Sequence, residues 1–339
     1  MRSEGRKQVS DDADAGFVSL ESVSVTFGNL VRALDDVTLR IRRGSITGLV
    51  GESGSGKSTL CRVLIGLQRP TRGTARLSGE DISELLAKAP LGYRRRVQML
   101  LQDAAASLSP RMKVANLLAE PYRIHGLGIK ESWPRMLTLL RRLGLSEDHL
   151  EKYPHQLSGG QARRVAIARA LMLKPDLIIA DEPTAGLDLS VRGELLNLML
   201  ELRDELGLTY LMVSHDLNVI RSVTDRVAVL YLGQIIEEAS TADIFARPRH
   251  PYTMALLSAT PVIDPARRRQ RVVLSGDIPS PINPPSGCRF HTRCPFVQPL
   301  CRSEMPLLQS DARGSYRCHF PLSGSAPSAV EVANAAPVV

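Results

Sequence analysis

The segment Gly51-Glu52-Ser53-Gly54-Ser55-Gly56-Lys57-Ser58-Thr59 has the spacing G-x-x-x-x-G-K-[ST], and its residue types define what it can hold. Glycines at 51, 54 and 56 let the backbone turn its N–H groups inward around phosphate oxygens. Lys57 can reach β- and γ-phosphates, and the Ser58 hydroxyl is a ligand for Mg²⁺. Downstream, the apolar run Leu177-Ile178-Ile179-Ala180 ends in Asp181-Glu182. Phosphoryl transfer to water asks for one carboxylate near Mg²⁺ and another near the attacking water. Asp181 suits the metal and Glu182 the water. Two acids at a strand end are a weak signal alone, and the glycine loop is what gives them weight.

These groups need elements to hold them. Ser45 to Val50 reads as a strand and Thr59 to Leu67 as a helix, so the loop is a strand-to-helix turn whose helix N-terminus adds partial positive charge. The alternating segment Phe17 to Val25 reads as an earlier strand. Leu157-Ser158-Gly159-Gly160-Gln161 precedes the helix-forming run Ala162 to Leu171, making a second helix N-terminus suited to an anion. One domain rarely needs two phosphate cradles, so the second points to a nucleotide held on a partner copy. The competing reading is a plain serine-capped helix.

LSGGQ at 157–161, together with the glycine loop and the Asp-Glu strand, resembles the signature of ABC ATPases. The resemblance implies a P-loop α/β fold with a RecA-like core, an antiparallel β subdomain near the N-terminus and a helical subdomain between Gln102 and the signature helix. It also implies a head-to-tail dimer sandwiching ATP, in which Ser158, Gly159, Gly160 and Gln161 meet the γ-phosphate bound by Gly51, Ser53, Gly54, Ser55, Gly56, Lys57, Ser58 and Thr59 of the other copy. Gln102 resembles the Q-loop glutamine that senses Mg²⁺ and water. His215, in Val213-Ser214-His215-Asp216, resembles the switch histidine that holds the γ-phosphate. Asp188 resembles the D-loop aspartate, although Ala185-Gly186 stands where Ser-Ala is commoner. Phe27 is the candidate adenine platform, with a strand-end core aromatic as the alternative.

From residue 17 to 320 the chain is similar to the oligopeptide, dipeptide and nickel permease branch of that family. The similarity rests on Gln98 to Asp103 with Ser107 to Met112, on Tyr153-Pro154-His155-Gln156, and on Arg247 to Thr253 with Ala255-Leu256-Leu257. Ala104 departs from it, standing where a proline is usual. The expected organisation is a disordered tail at 1–16, the ATPase domain at 17–246, a C-terminal extension at 247–320 and a second disordered tail at 321–339. Prolines between Pro279 and Pro285 argue for irregular chain there.

Four of the five cysteines, Cys288, Cys294, Cys301 and Cys318, fall in the extension, with five, six and sixteen residues between them. Cys61 reads as a small core residue. The four thiols suit tetrahedral zinc or an iron–sulfur cluster, and they also admit binding nothing. The C-x₂-C pairs of zinc ribbons are absent, and related permease ATPases carry an iron–sulfur cluster at similar cysteines, so the resemblance favours [4Fe–4S].

Hydrophobic residues make up 43% of the chain and charged residues 23%, which excludes a disordered protein. No run of 18 apolar residues and no apolar N-terminal signal occurs, so a cytosolic chain is expected. The net charge of +8 would suit nucleic acid, but no helix-turn-helix, zinc-finger or RRM pattern accompanies it and no nucleic-acid partner is expected. The run Arg267-Arg268-Arg269-Gln270-Arg271 reads as a solvated linker, with a membrane-surface role as the alternative.

The resemblance thus implies an ATP- and Mg²⁺-dependent ATPase, peripheral on the cytoplasmic face of the membrane. Its partners would be two transmembrane permease subunits that meet the helical segment Ala115 to Leu145, a second ATPase copy or related chain, and indirectly an extracytoplasmic binding protein. The cargo would be oligopeptides or dipeptides, with nickel, glutathione or another small solute as alternatives. Rival classes are a soluble ABC protein acting on nucleic acid, disfavoured by the single motif set, and a regulatory module that binds ATP without turnover, disfavoured by Glu182 and His215.

Overall fold

Short apolar runs without a polar break make strands buried on both faces, and here they build a parallel core. The computed structural model describes residues 16–28, 30–103, 106–260, 274 and 276–323. The chain enters as β1 (Val18–Phe27) and returns as β2 (Val31–Ile41), and then β3 (Ile46–Val50) runs through the glycine loop into α1 (Lys57–Leu64). β4 (Arg72–Leu77), β5 (Glu80–Asp81), α2 (Ile82–Lys88), α3 (Pro90–Arg96) and β6 (Val97–Leu100) follow. Helices α4 (Val114–Ile124), α5 (Ile129–Arg142) and α6 (Gly159–Leu171) form the middle of the chain. The chain then alternates through β7 (Leu177–Asp181), α7 (Leu189–Leu206), β8 (Thr209–Val213), α8 (Leu217–Val223) and β9 (Arg226–Tyr231). β10 (Gln234–Ser240), α9 (Thr241–Ala246), α10 (Pro251–Ala259), α11 (Pro299–Ser303), β11 (Gln309–Asp311) and β12 (Gly314–Tyr316) complete it.

The strands make a four-stranded antiparallel sheet, β2-β1-β4-β5, and an eight-stranded sheet, β11-β12-β10-β9-β3-β8-β7-β6. In the larger sheet β6, β7, β8, β3 and β9 run parallel, so their carboxyl ends share one edge. Alternation decides what each face meets. Ile178, Ala180, Tyr210 and Met212 pack with the helices, while Leu177, Ile179, Leu211 and Val213 pack with the antiparallel sheet and α1.

The expected α/β layout with an antiparallel and a helical part is what the chain adopts. Two elements differ from expectation. β2 escapes a pattern reading because Asp35-Asp36 interrupts its apolar alternation, and the helical segment from 115 to 145 is two helices, α4 and α5, parted where Gly126 takes φ 63°. The extension is not a separate body. β12 pairs antiparallel with β10, and Phe290 packs edge-on against Tyr231 and Tyr252 in the main core, so the sheet runs across the 246/247 boundary. As the prolines imply, residues 276–298 form no helix or strand. Residues 1–15, Ala104, Arg267–Arg271 and 324–339 lie outside the described residues, and so do the expectations placed on them. Among the described residues no helix is long and apolar enough to cross a membrane.

Candidate nucleotide site

Strand β3, buried throughout, delivers the glycine loop to the shared carboxyl edge. Two of its glycines are dictated by space. A Cβ on Gly51 would stand 2.2 Å from the Leu230 carbonyl oxygen, and one on Gly56 would stand 2.5 Å from that of Ala33. Gly56 caps α1 at φ 110°, and no acid lies in the first turn of that helix, so the loop's N–H groups face a positive helix end. Lys57 Nζ donates to the carbonyl oxygens of Gly51 and Glu52, both at 2.8 Å, and approaches Ser55 Oγ at 3.4 Å. Burial lowers its pKa, and the nearby carboxylates Glu182 and Asp181 act against that shift. Ser53, Gly54 and Ser58 are exposed at the loop mouth, Thr59 is half-buried, and Cys61 is a buried core residue.

Strand β7 brings Asp181 and Glu182 to the same edge. Burial raises the Asp181 pKa, the Glu182 charge raises it further, and Lys57 opposes both. Glu182 sits at φ 50°, a left-handed conformation costly for a side-chain-bearing residue. Its Oε1 accepts from the His215 backbone N–H at 3.0 Å and lies 2.7 Å from His215 Nδ1, while its backbone N–H donates to Val213 O at 2.9 Å. The imidazole otherwise faces solvent, at 74% side-chain exposure. Glu182 and His215 are therefore one unit, supplied by adjacent strands β7 and β8.

Gln102 follows the end of β6 on the same edge and is exposed. Phe27, at the end of β1, is 39% exposed, which excludes the core-aromatic alternative. Asp188 caps α7 by position without a side-chain bond. Ser158 and Gln161 form a reciprocal capping box on α6, so the serine-capped reading of this segment is correct as geometry. Ser158, Gly160 and Gln161 border a cavity of about 370 Å³ with Leu187 and Val191, and no residue of the glycine loop lines it. The signature and the loop are thus not joined within one chain through that cavity.

Three residues carry roles that motif reading misses. Arg163 on α6 donates to Ala185 O at 3.1 Å and reaches Gln102 O at 3.5 Å, tying the signature helix to the segments around Gln102 and Asp188. Arg192 on α7 pairs with Asp216 at 2.5 Å, beside His215. Glu52, inside the glycine loop, is held by the extension: its backbone N–H donates to the Tyr252 hydroxyl at 2.9 Å, and its carboxylate pairs with Arg293. The sequence signal for the arginines is their position one turn into helices that follow a motif. For Glu52 there is none.

The four cysteines of the extension line one cavity with His250, His291 and His319. Burial raises the Cys288 thiol pKa and pushes those of Cys294 and Cys318 up to about 12, with the neighbouring cysteines adding to each. The arrangement of these thiols does not support the expectation of a metal or cluster. The thiols converge, but among the described residues no three or more His, Cys, Asp or Glu side chains stand in an arrangement that could hold a metal ion.

Comparison with known proteins agrees with this geometry. Residues 34–185 match the ABC transporter family, and residues 236–301 match the oligopeptide/dipeptide transporter C-terminal region. A putative peptide import ATP-binding protein of Brucella ovis is 48% identical over 288 residues, 85% of this chain and 91% of its own length. The dipeptide transport ATP-binding protein DppF of Haemophilus influenzae is 46% identical over 84% of this chain and 87% of its own. Among solved structures, cbiO1 of Clostridium perfringens, part of an ABC transporter complex, superposes with TM-score 0.64 at 29% identity, covering 68% of this chain and 91% of its own. The dimeric cassette MJ0796 in a post-hydrolysis state bound to ADP and Pi gives TM-score 0.58 at 32% identity, covering 66% of this chain and 98% of its own. With relatives this similar over nearly their whole length, the chain belongs to the ABC transporter ATPases, in the group that carries the oligopeptide/dipeptide transporter C-terminal region.

Proposed function

We propose that this chain is the ATP-hydrolysing subunit of a peptide importer, working on the cytoplasmic face of a membrane with two transmembrane permease subunits and a second ATPase chain. The observation that carries the hydrolytic part is the Glu182–His215 pair, held at the same strand edge as Lys57 and Asp181. The glycine loop and Lys57 would hold the β- and γ-phosphates, and Ser58, Asp181 and Gln102 would hold Mg²⁺, which neutralises phosphate charge when bound. Glu182 orients the attacking water and accepts its proton, and His215 hands its hydrogen bond from Glu182 to the γ-phosphate. Ser158, Gly159, Gly160 and Gln161 meet the γ-phosphate of the partner copy, with Asp188 at that interface and Phe27 under adenine. Positioning and charge neutralisation supply the rate.

The names of the relatives support peptide as cargo. An apolar cavity of about 550 Å³ lies between β6 and helices α4, α6 and α7, bordered by Leu101, Pro121, Ile124, Ala166, Leu195 and Met199. Its lining reaches Leu101 and Pro183, the neighbours of Gln102 and Glu182, and it suits a cytoplasmic helix of a membrane partner. Cys288, Cys294, Cys301 and Cys318 would hold an iron–sulfur cluster as a structural group. What supports that reading is that the four thiols line one cavity. Iron and acid-labile sulfide in anaerobically purified protein test this, and their absence refutes it.

The transport reading is tested by co-purifying the membrane partners on this subunit, reconstituting them, and adding binding protein loaded with peptide, nickel or glutathione. Peptide should raise ATP turnover and the other two should not. Stimulation by nickel or glutathione reassigns the cargo, and response only to nucleic acid or ribosomes rejects the transporter reading.

A further inference from the structure

Glu52 is the only carboxylate within the glycine loop, and a carboxylate beside a triphosphate needs a reason to be harmless. The extension provides one. Arg293 meets it fork to fork, Nη1 to Oε2 at 2.7 Å and Nη2 to Oε1 at 3.1 Å. The guanidinium is almost wholly buried, at 8% side-chain exposure against 24% for Glu52. A two-bond fork fixes the direction of the carboxylate as well as its charge. The remaining groups of Glu52 complete the tie, since its N–H donates to the Tyr252 hydroxyl and its carbonyl accepts from Lys57 Nζ. One residue thus joins the extension to the phosphate-binding lysine.

The same pattern occurs twice more. Arg289 pairs with Asp35 and also donates to Leu232 O, and Arg317 pairs with Asp36 at 2.5 Å. Both guanidiniums are buried, and both acids lie on β2, beside the strand that ends in Phe27. Each of the three arginines is the sequence neighbour of a cavity-lining cysteine: Cys288-Arg289, Arg293-Cys294 and Arg317-Cys318. The cavity's cysteines are therefore chain neighbours of arginines whose ion pairs reach the glycine loop at Glu52 and β2 at Asp35 and Asp36.

We propose that Arg293 is a positioning residue of the nucleotide site, which turns the Glu52 carboxylate away from the phosphates and makes ATP affinity depend on the placement of the cysteine-bearing extension. The inference rests on the glycine loop binding MgATP, which the parent chain reports separately. Loss of Arg293 leaves a partly buried carboxylate facing the cradle and unties the loop. The orphaned charge, rather than the missing arginine, is then the larger fault.

The experiment is a titration of the full-length chain with MgATP, read by competition with a fluorescent ATP analogue, alongside its circular dichroism and thermal melting. Arg293→Ala should weaken MgATP binding about tenfold, the scale of one charge-assisted pair. Arg293→Lys keeps the charge but not the fork and should fall between. Adding Glu52→Gln to Arg293→Ala should restore most of the affinity. Arg302→Ala, at an exposed position beside Cys301, should leave affinity unchanged. Parental affinity in a folded Arg293→Ala chain overturns the proposal. So does a loss that Glu52→Gln fails to restore, because a general structural defect would not be cured by neutralising one acid. If Arg293→Ala does not fold, Arg293→Lys and the double variant decide by the same criteria. Failure of the parent chain to bind MgATP would instead remove the nucleotide-site reading itself.

Discussion

At the scale of single residues, the proposed hydrolysis rests on the Glu182 carboxylate, held on a left-handed backbone at φ 50°. Glu182→Gln retains the shape and removes the acceptor for a water proton, so ATP turnover of the assembled complex should fall by about 100-fold or more while ATP binding persists. Turnover at the parental rate would remove the role given to Glu182. Most of these groups are legible in the sequence because each ends or follows an apolar strand, which fixes it to the sheet edge. Glu52 is not legible. Nothing in G-x-x-x-x-G-K-[ST] constrains its second position, and its partner Arg293 lies 241 residues away in sequence. The cysteines are half legible: their convergence on one cavity follows from their clustering, whereas their ligation does not, because spacing alone leaves the geometry of four thiols open.

At the scale of elements, α6 is held by its own capping box and, in the proposed function, also meets the partner's nucleotide. Ser158 accepts from the Gln161 N–H, and Gln161 returns the bond to the Ser158 N–H. Ser158→Ala should therefore lower stability by about 1 kcal/mol and, separately, lower turnover in the assembled complex, checked by denaturation and by ATPase assay. Helix α10 carries a different liability. His250, wholly buried at its N-cap, accepts from the Tyr252 N–H at 3.0 Å, and burial depresses its pKa from 6.5 to about 3. The unfolded chain takes up this proton first as pH falls, so the stabilisation is complete above pH 6.5 and declines toward about pH 3. The buried Glu237 carboxyl, which accepts from the His250 N–H and is raised by burial, acts in the opposite sense as pH rises above its ordinary range. Subtracting a His250→Asn variant isolates the histidine: between pH 7 and 5 the parent should lose about 2 kcal/mol more than the variant in urea denaturation. The helices around this core read correctly from sequence as a helical region. Their break at Gly126 did not, because α4 and α5 carry internal prolines, Pro121 and Pro134, that compete with the glycines as apparent boundaries.

At the scale of the whole molecule, one eight-stranded sheet carries both the strand edge of the nucleotide site and, through β12 and β11, the extension. The sequence suggests two consecutive units at 246/247. Long-range pairing of β12 with β10 joins them, and such pairing leaves little local trace because β12 is three residues long and Gly314 opens it. The 550 Å³ cavity between the helices and the sheet is lined by β6 of this same sheet and by Leu101 and Pro183, beside Gln102 and Glu182. The central claim is that ATP hydrolysis at Glu182 drives peptide movement through a membrane partner. It is tested most directly by uptake of a labelled peptide into vesicles holding the complete complex, with ATP supplied on the side of this subunit. The parent chain should give ATP-dependent uptake, and Glu182→Gln should abolish it with the complex intact. Equal uptake by both, or none by a parent complex that hydrolyses ATP and holds its membrane subunits, would contradict the account.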